Sequence, residues 1–148
     1  MRITYIGHAT LLIELGGRTF LTDPNFDPSL GKLLPRVSPP GIPLHKLPKI
    51  DAVFVTHAHA DHLSFDSLSN LPGNAPIFAP PAIAKWLKKL GHSNASPLSP
   101  GESVYTGGVE VHAALATHKD HRYGVDRWRG AANMYLFDTK EISCFFAG

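Results

Sequence analysis

The chain contains one cysteine, few charges and no long apolar run. A single cysteine, Cys144, excludes an internal disulfide framework. Its setting, Ile-Ser-Cys-Phe-Phe, reads as a small buried hydrophobe rather than a reactive thiol. Charged residues make up 18% of the 148 and the formal net charge is +2. A dedicated nucleic-acid-binding domain would show a basic stripe, so no nucleic-acid partner is expected. No apolar stretch approaches the roughly 20 residues that cross a bilayer, so no transmembrane segment is expected. The opening Met-Arg-Ile-Thr-Tyr-Ile-Gly-His lacks the apolar centre and cleavage site of an export signal, which points to a cytoplasmic location. What is present is enough apolar material for a core, 43%, with 13 glycines and 13 prolines. That mixture suits short strands joined by many loops and argues against a helical bundle.

Hydrophobic patterning divides the chain accordingly. Residues 2–6, 10–15 and 18–22 read as strands rich in β-branched and aromatic residues, with Gly16-Gly17 as a hairpin turn. Asp23-Pro24 ends the third strand. Residues 24–49 are proline-rich and aperiodic and read as one long loop. Residues 51–56, Asp-Ala-Val-Phe-Val-Thr, form an apolar run expected of a strand buried on both faces. A short helix is expected within 62–70, a brief strand at 77–79 and an amphipathic helix over 81–90. Ile83, Trp86, Leu87 and Leu90 form the inward stripe of that helix. A hairpin joins 102–105 to 109–117, and two more strands cover 133–139 and 142–147. The expected class is α/β (α+β), an antiparallel or mixed sheet covered by helices.

The chemistry concentrates in Thr56-His57-Ala58-His59-Ala60-Asp61-His62, directly after the buried strand. In extended backbone His57, His59 and Asp61 share a side, because strand side chains alternate, and a turn brings His62 round. Imidazole and carboxylate suit zinc, which lowers the pKa of a bound water to about 7. Such crowded histidines repel one another when protonated, and a shared cation removes the conflict. His118, at the end of the 109–117 strand, supplies a further neutral ligand. His8 and Asp23, at the ends of early strands, are read as supports behind the ligands. Asp23 would accept a hydrogen bond from a ligating imidazole and fix its tautomer.

The segment His57-Ala58-His59-Ala60-Asp61-His62 resembles the HxHxDH signature of the metallo-β-lactamase superfamily. Gly7-His8-Ala9-Thr10, Leu21-Thr22-Asp23-Pro24, Ala116-Thr117-His118, Asn133 and Phe145-Phe146-Ala147-Gly148 are similar to the branch that holds N-acyl-phosphatidylethanolamine-hydrolysing phospholipases D and L-ascorbate-6-phosphate lactonases. The resemblance implies a four-layer αββα sandwich, of which residues 1–148 would be the N-terminal part, and a site for two Zn2+ ions. It assigns His57, His59 and His118 to the first metal and Asp61 and His62 to the second, with Asp61 also orienting the attacking water. A bridging aspartate is expected directly after Gly148. On that expectation the present chain binds at most one zinc well and turns over slowly. Mn2+, Fe2+ or Ni2+ would also satisfy histidine–carboxylate ligands.

The loop after His118 carries Tyr123, Arg127 and Arg129. With Asn133 these are the candidate contacts to an anionic small molecule or lipid, because arginine recognises phosphate and carboxylate in bidentate fashion. The expected activity is metal-dependent hydrolysis of a phosphodiester, lactone or ester. The alternatives are a nuclease of the same superfamily and a non-catalytic metal-binding fragment. Apolar faces left open by half a sandwich would favour association, so a homo-oligomer stands among the expected partners.

Overall fold

The computed structural model describes residues 1–30, 34–117 and 132–148. Among these residues twelve strands, β1 (Arg2–Gly7), β2 (Thr10–Leu15), β3 (Arg18–Thr22), β4 (Ser29–Leu30), β5 (Leu34–Pro35), β6 (Ala52–Phe54), β7 (Ile77–Ala79), β8 (Ala95–Pro97), β9 (Ser103–Thr106), β10 (Val109–Leu115), β11 (Asn133–Asp138) and β12 (Ser143–Phe146), accompany two α-helices, α1 (Phe65–Ser69) and α2 (Pro81–Lys89). Six strands form one sheet in the order β1-β2-β3-β6-β7-β8, and four form a second in the order β12-β11-β10-β9. The first three strands pair antiparallel; β3, β6, β7 and β8 then pair parallel. The carboxyl ends of β3 and β6 therefore lie side by side. The β2–β3 turn uses Gly16 and Gly17 at φ +57° and +72°, the two left-handed residues a tight hairpin requires.

Alternation along β6 shows how the layers form. Val53 points into a core shared with Leu63, Leu68, Ile83, Ala84 and Leu87, beneath the helices. Ala52 and Phe54 point the other way, into a core shared with Val109, Val111, Tyr135, Phe137 and Phe146 of the second sheet. All three β6 residues are buried, as the unbroken apolar run requires. Phe54 sits at the centre of the seam, with its ring 5.1 Å from both Tyr135 and Phe137 and 5.3 Å from Phe78. Helices, six-stranded sheet and four-stranded sheet make three layers among the described residues. On the outer side of the four-stranded sheet Phe145 is exposed.

The structure departs from the sequence reading in four places. The proline-rich stretch contains the β4–β5 hairpin and a 3-10 turn at Leu44–Lys46, and Gly41 N–H donates to the Ile6 carbonyl, so this stretch is a strap tied to β1. Leu90 is 50% exposed and caps α2 instead of completing its inward stripe, since Gly91 turns the chain there. Strand β8 carries too little apolar pattern to be legible; it exists because Ala95 and Ser96 pair with β7. Strand β10 stops at Leu115, short of Thr117. At the amino-terminal edge of the parallel strands, Ile50, Leu68, Asn74, Ile77, His92 and Asn94 are among the residues lining a cavity of about 170 Å3. No helix among the described residues is long and apolar enough to cross a membrane.

Candidate metal centre

Beyond β6 the chain leaves the sheet at Thr56 and enters a tight turn, in which His62 and Leu63 N–H both donate to the His59 carbonyl. Ser64 then caps α1, its hydroxyl accepting from Ser67 N–H. This turn carries His57, His59, Asp61 and His62 to the carboxyl edge of the parallel strands. Open sheets place their sites at that edge because strand-to-loop transitions there converge.

The support behind the histidines begins at Asp23, which is fully buried. Its Oδ1 accepts from Thr56 N–H at 2.7 Å. Its Oδ2 accepts from the Thr56 hydroxyl at 2.6 Å and from His62 Nδ1 at 2.8 Å. Burial pushes the Asp23 carboxyl above the usual carboxylate range, and the bonds from His62 and Thr56 pull it back only in part. Three donors aimed at two oxygens nevertheless form a nest for the ionised acid, which accepts without donating. The tautomers follow by counting protons. Thr56 has one hydroxyl proton and gives it to Asp23, so Thr56 Oγ1 accepts from His57 Nδ1, 2.9 Å away. His57 therefore presents the lone pair of Nε2. His62 donates from Nδ1 to Asp23, which directs its Nε2 toward Asp61 Oδ2, 3.5 Å away. Burial alone would lower the His62 pKa; the bond to Asp23 and the charges of Asp23 and Asp61 outweigh it, and the net shift is upward.

The donors meet as two facing pairs. His57 Nε2 and His59 Nδ1 are 3.0 Å apart, and the His57 and His62 ring centroids are 4.0 Å apart. Two nitrogens each about 2.05 Å from a tetrahedral zinc lie about 3.3 Å from each other, so the first pair would open by a few tenths of an ångström to admit one. Among the described residues no three His, Cys, Asp or Glu side chains converge into a cation site. The donor set of oriented imidazoles and a carboxylate, held from behind, fits a divalent cation in chemistry and in tautomer.

His8 is exposed, with a left-handed φ of +53°, and feels the charges of Arg36, Asp61 and His62. Desolvation, with Arg36, lowers its pKa. Asp23 also has a positive φ, +39°. Two non-glycine residues so placed, each costing roughly 1–3 kcal/mol, flank one site, as backbone strain at functional positions tends to do. Asn133 is 1% exposed. Its Nδ2 donates to the Leu98 carbonyl and to Tyr135 Oη, and its N–H donates to the Thr56 carbonyl. In this arrangement it ties the second sheet to the histidine loop from inside, and substrate contact through Nδ2 would require breaking those bonds. His118, Tyr123, Arg127 and Arg129 lie outside the described residues. Gly148 packs against Thr56, where an added Cβ would stand 3.0 Å from Oγ1, so β12 delivers its carboxyl end to the same loop.

Sequence reasoning overlooked Asn25, Arg36 and Thr56. Asn25 is fully buried, and its Nδ2 donates to the Ala60 carbonyl at 2.8 Å. The available signal was an asparagine directly after Asp-Pro, a residue type that bonds neighbouring backbone in turns.

Residues 18–148 match the family model described as "Beta-lactamase superfamily domain". The chain is 37% identical over 97 residues to N-acyl-phosphatidylethanolamine-hydrolyzing phospholipase D 1 of Caenorhabditis elegans, covering 60% of this chain and 27% of that protein. It is 31% identical to a metal-dependent hydrolase of Methanoculleus marisnigri over its whole length, which is 58% of the relative. Among solved structures it superposes on CmlA, a diiron β-hydroxylase from Streptomyces venezuelae, with a TM-score of 0.70 and 26% identity over 98% of this chain and 28% of CmlA. The chain thus spans between about a quarter and six-tenths of these relatives.

Proposed function

Given that the chain belongs to the metallo-β-lactamase superfamily, we propose that it carries the metal-binding face of a divalent-metal-dependent hydrolase. The observation that carries this is the pair of held Nδ1 atoms, His57 on Thr56 and His62 on Asp23. His57 Nε2 then faces His59 Nδ1, and His62 Nε2 faces Asp61 Oδ2. His57, His59 and His118 are assigned to one cation and Asp61 and His62 to a second. When bound, the metal supplies Lewis acidity and a nucleophile drawn from water at neutral pH.

This chain's own residues do the rest. Asp23 and Thr56 fix the imidazole tautomers. Asp61 accepts a hydrogen bond from the attacking water and orients it. Burial of Asp23 and His57 keeps bulk water from the back of the site. The substrate class is an anionic phosphodiester, lactone or ester, small molecule or lipid, met by Arg127, Arg129 and Tyr123. Zinc is the proposed metal on ligand chemistry, with iron, manganese and nickel as competitors.

The test is to load the metal-free chain with each metal and assay bis-p-nitrophenyl phosphate and simple lactones. Metal-dependent hydrolysis that chelator removes and Asp61→Ala abolishes is the expected result. A chain that takes up no divalent cation sinks the proposal.

A further inference from the structure

Arg36 links the proline-rich strap by hydrogen bonds toward the histidine loop. From β5's end, Arg36 Nε donates to the Asp27 carbonyl at 3.0 Å, and Nη2 donates to the Asn25 carbonyl at 2.6 Å and to Asn25 Oδ1 at 3.3 Å. Its own N–H donates to the Pro28 carbonyl at 2.9 Å. The guanidinium therefore closes the turn 25–28 from outside. Asn25 is held from the other side as well, its N–H donating to Thr10 Oγ1 at 3.0 Å. The side-chain amide of Asn25 then reaches on, to the Ala60 carbonyl. Ala60 is the residue from which Asp61 departs. The same turn is fastened to α1, where Phe26 N–H donates to Ser67 Oγ and Ser67 Oγ donates to Asp27 Oδ1. Room for the guanidinium exists because residue 7 is glycine. At its φ of +150° a Cβ would come within 2.7 Å of Arg36 Nη1, which is anchored and cannot swing aside.

We propose that Arg36 is a positioning residue for Asp61, acting through Asn25 to hold the Ala60 carbonyl and hence the second half of the metal loop. The inference deepens the metal-site assignment and rests on it for its consequence, though not for its geometry. Arginine suits this role because its planar fork bridges two carbonyls at once. A lysine ammonium has three donors but no fixed planar fork, so it does not hold the two carbonyls in this geometry. His57 follows β6 by way of Val55 and Thr56 and is supported by Thr56 and Asp23, so it does not depend on the clamp.

The experiment uses the full chain, metal-free, as wild type, Arg36→Ala, Arg36→Lys, Asn25→Asp and the surface control Arg2→Ala. Asn25→Asp keeps the Oδ1 acceptor and deletes the donor to Ala60, so it tests the same link if Arg36→Ala does not fold. Amide hydrogen exchange is read by mass spectrometry over residues 57–67, 10–22 and 133–146. Arg36→Ala and Asn25→Asp are expected to speed exchange at 60–63 by roughly tenfold or more, with β2 and β11 unchanged. Arg36→Lys should recover little of the protection, whereas millimolar methylguanidinium added to Arg36→Ala should restore it. Cobalt(II) titration of the same proteins should show roughly tenfold weaker binding, rescued by the same additive. Unchanged exchange at 60–63, or acceleration spread evenly over both sheets, overturns the inference. Absence of cobalt binding by wild type overturns the metal assignment instead, and the exchange measurement still decides the clamp.

Discussion

Replacing Asp23 by asparagine changes one atom and separates support of the site from support of the fold. In the Asn variant the amide oxygen can still accept from Thr56 N–H, the 2.7 Å bond that Oδ1 makes in the wild type. The new NH2 group then faces Thr56 Oγ1 and His62 Nδ1, both of which previously donated to this position. Thr56 can turn its hydroxyl and accept. His62 can accept only by losing the Nδ1 proton, which moves to Nε2 and occupies the lone pair the metal needs. The expected loss is 10–100-fold in metal affinity, about 1.4–2.7 kcal/mol. Stability of the metal-free chain should change little, because asparagine removes the cost of burying a carboxylate while keeping the bond to Thr56 N–H. Cobalt or zinc affinity measured against a competing chelator gives the first quantity. Imidazole 15N shifts give the tautomer, and thermal melting gives the third. Wild-type affinity in Asp23→Asn, with His62 still protonated at Nδ1, would refute the proton counting on which the site is built.

The other predictions are simpler. Asp23 and Asp61 outweigh burial and hold the His62 pKa above its ordinary value, so metal affinity should keep rising with pH past the ordinary imidazole range. In Asp23→Asn that rise should move to lower pH, and an unmoved profile would remove Asp23 as the cause. Tyr135→Phe strips the hydroxyl that donates to the Val55 carbonyl at 2.7 Å and accepts from Asn133. It should cost about 1–3 kcal/mol, which for a chain of this length lowers the melting temperature by about 2–4 °C per kcal/mol. Phe54→Ala, at the centre of the aromatic seam, should cost about 3–5 kcal/mol, and chemical denaturation will show whether it does. Arg127→Ala with Arg129→Ala should raise KM for an anionic substrate and leave a neutral one unaffected; equal effects on both would discard the anion reading.

The histidine loop was legible in the sequence because its donors are local, four within six residues after an unbroken apolar run. Strands such as β1, β2, β3 and β11 were legible for the same reason, since alternation and β-branching are read over a few residues. The seam residues were harder. Asn133 carries the signature of a polar site residue, and only the packing of β11 over Thr56 reveals that its amide is engaged inside. Strand β8, three residues paired along β7, has no pattern of its own. Arg36 and Asn25 were invisible as a unit because they stand eleven positions apart without periodicity, and their link to Ala60 spans 35 residues. Long-range hydrogen bonds leave no periodicity to read.

The shared direction of β6, β7 and β8 gives the molecule two poles, with the imidazole turn at one and the rim around Asn74 and Ser93 at the other. Both rim residues are exposed, and the native thiol at Cys144 is buried. A thiol introduced by Asn74→Cys or Ser93→Cys thus becomes a selective handle for a dye or a solid support. Tethered by that end, the protein would face the bulk solution with its chemistry outermost.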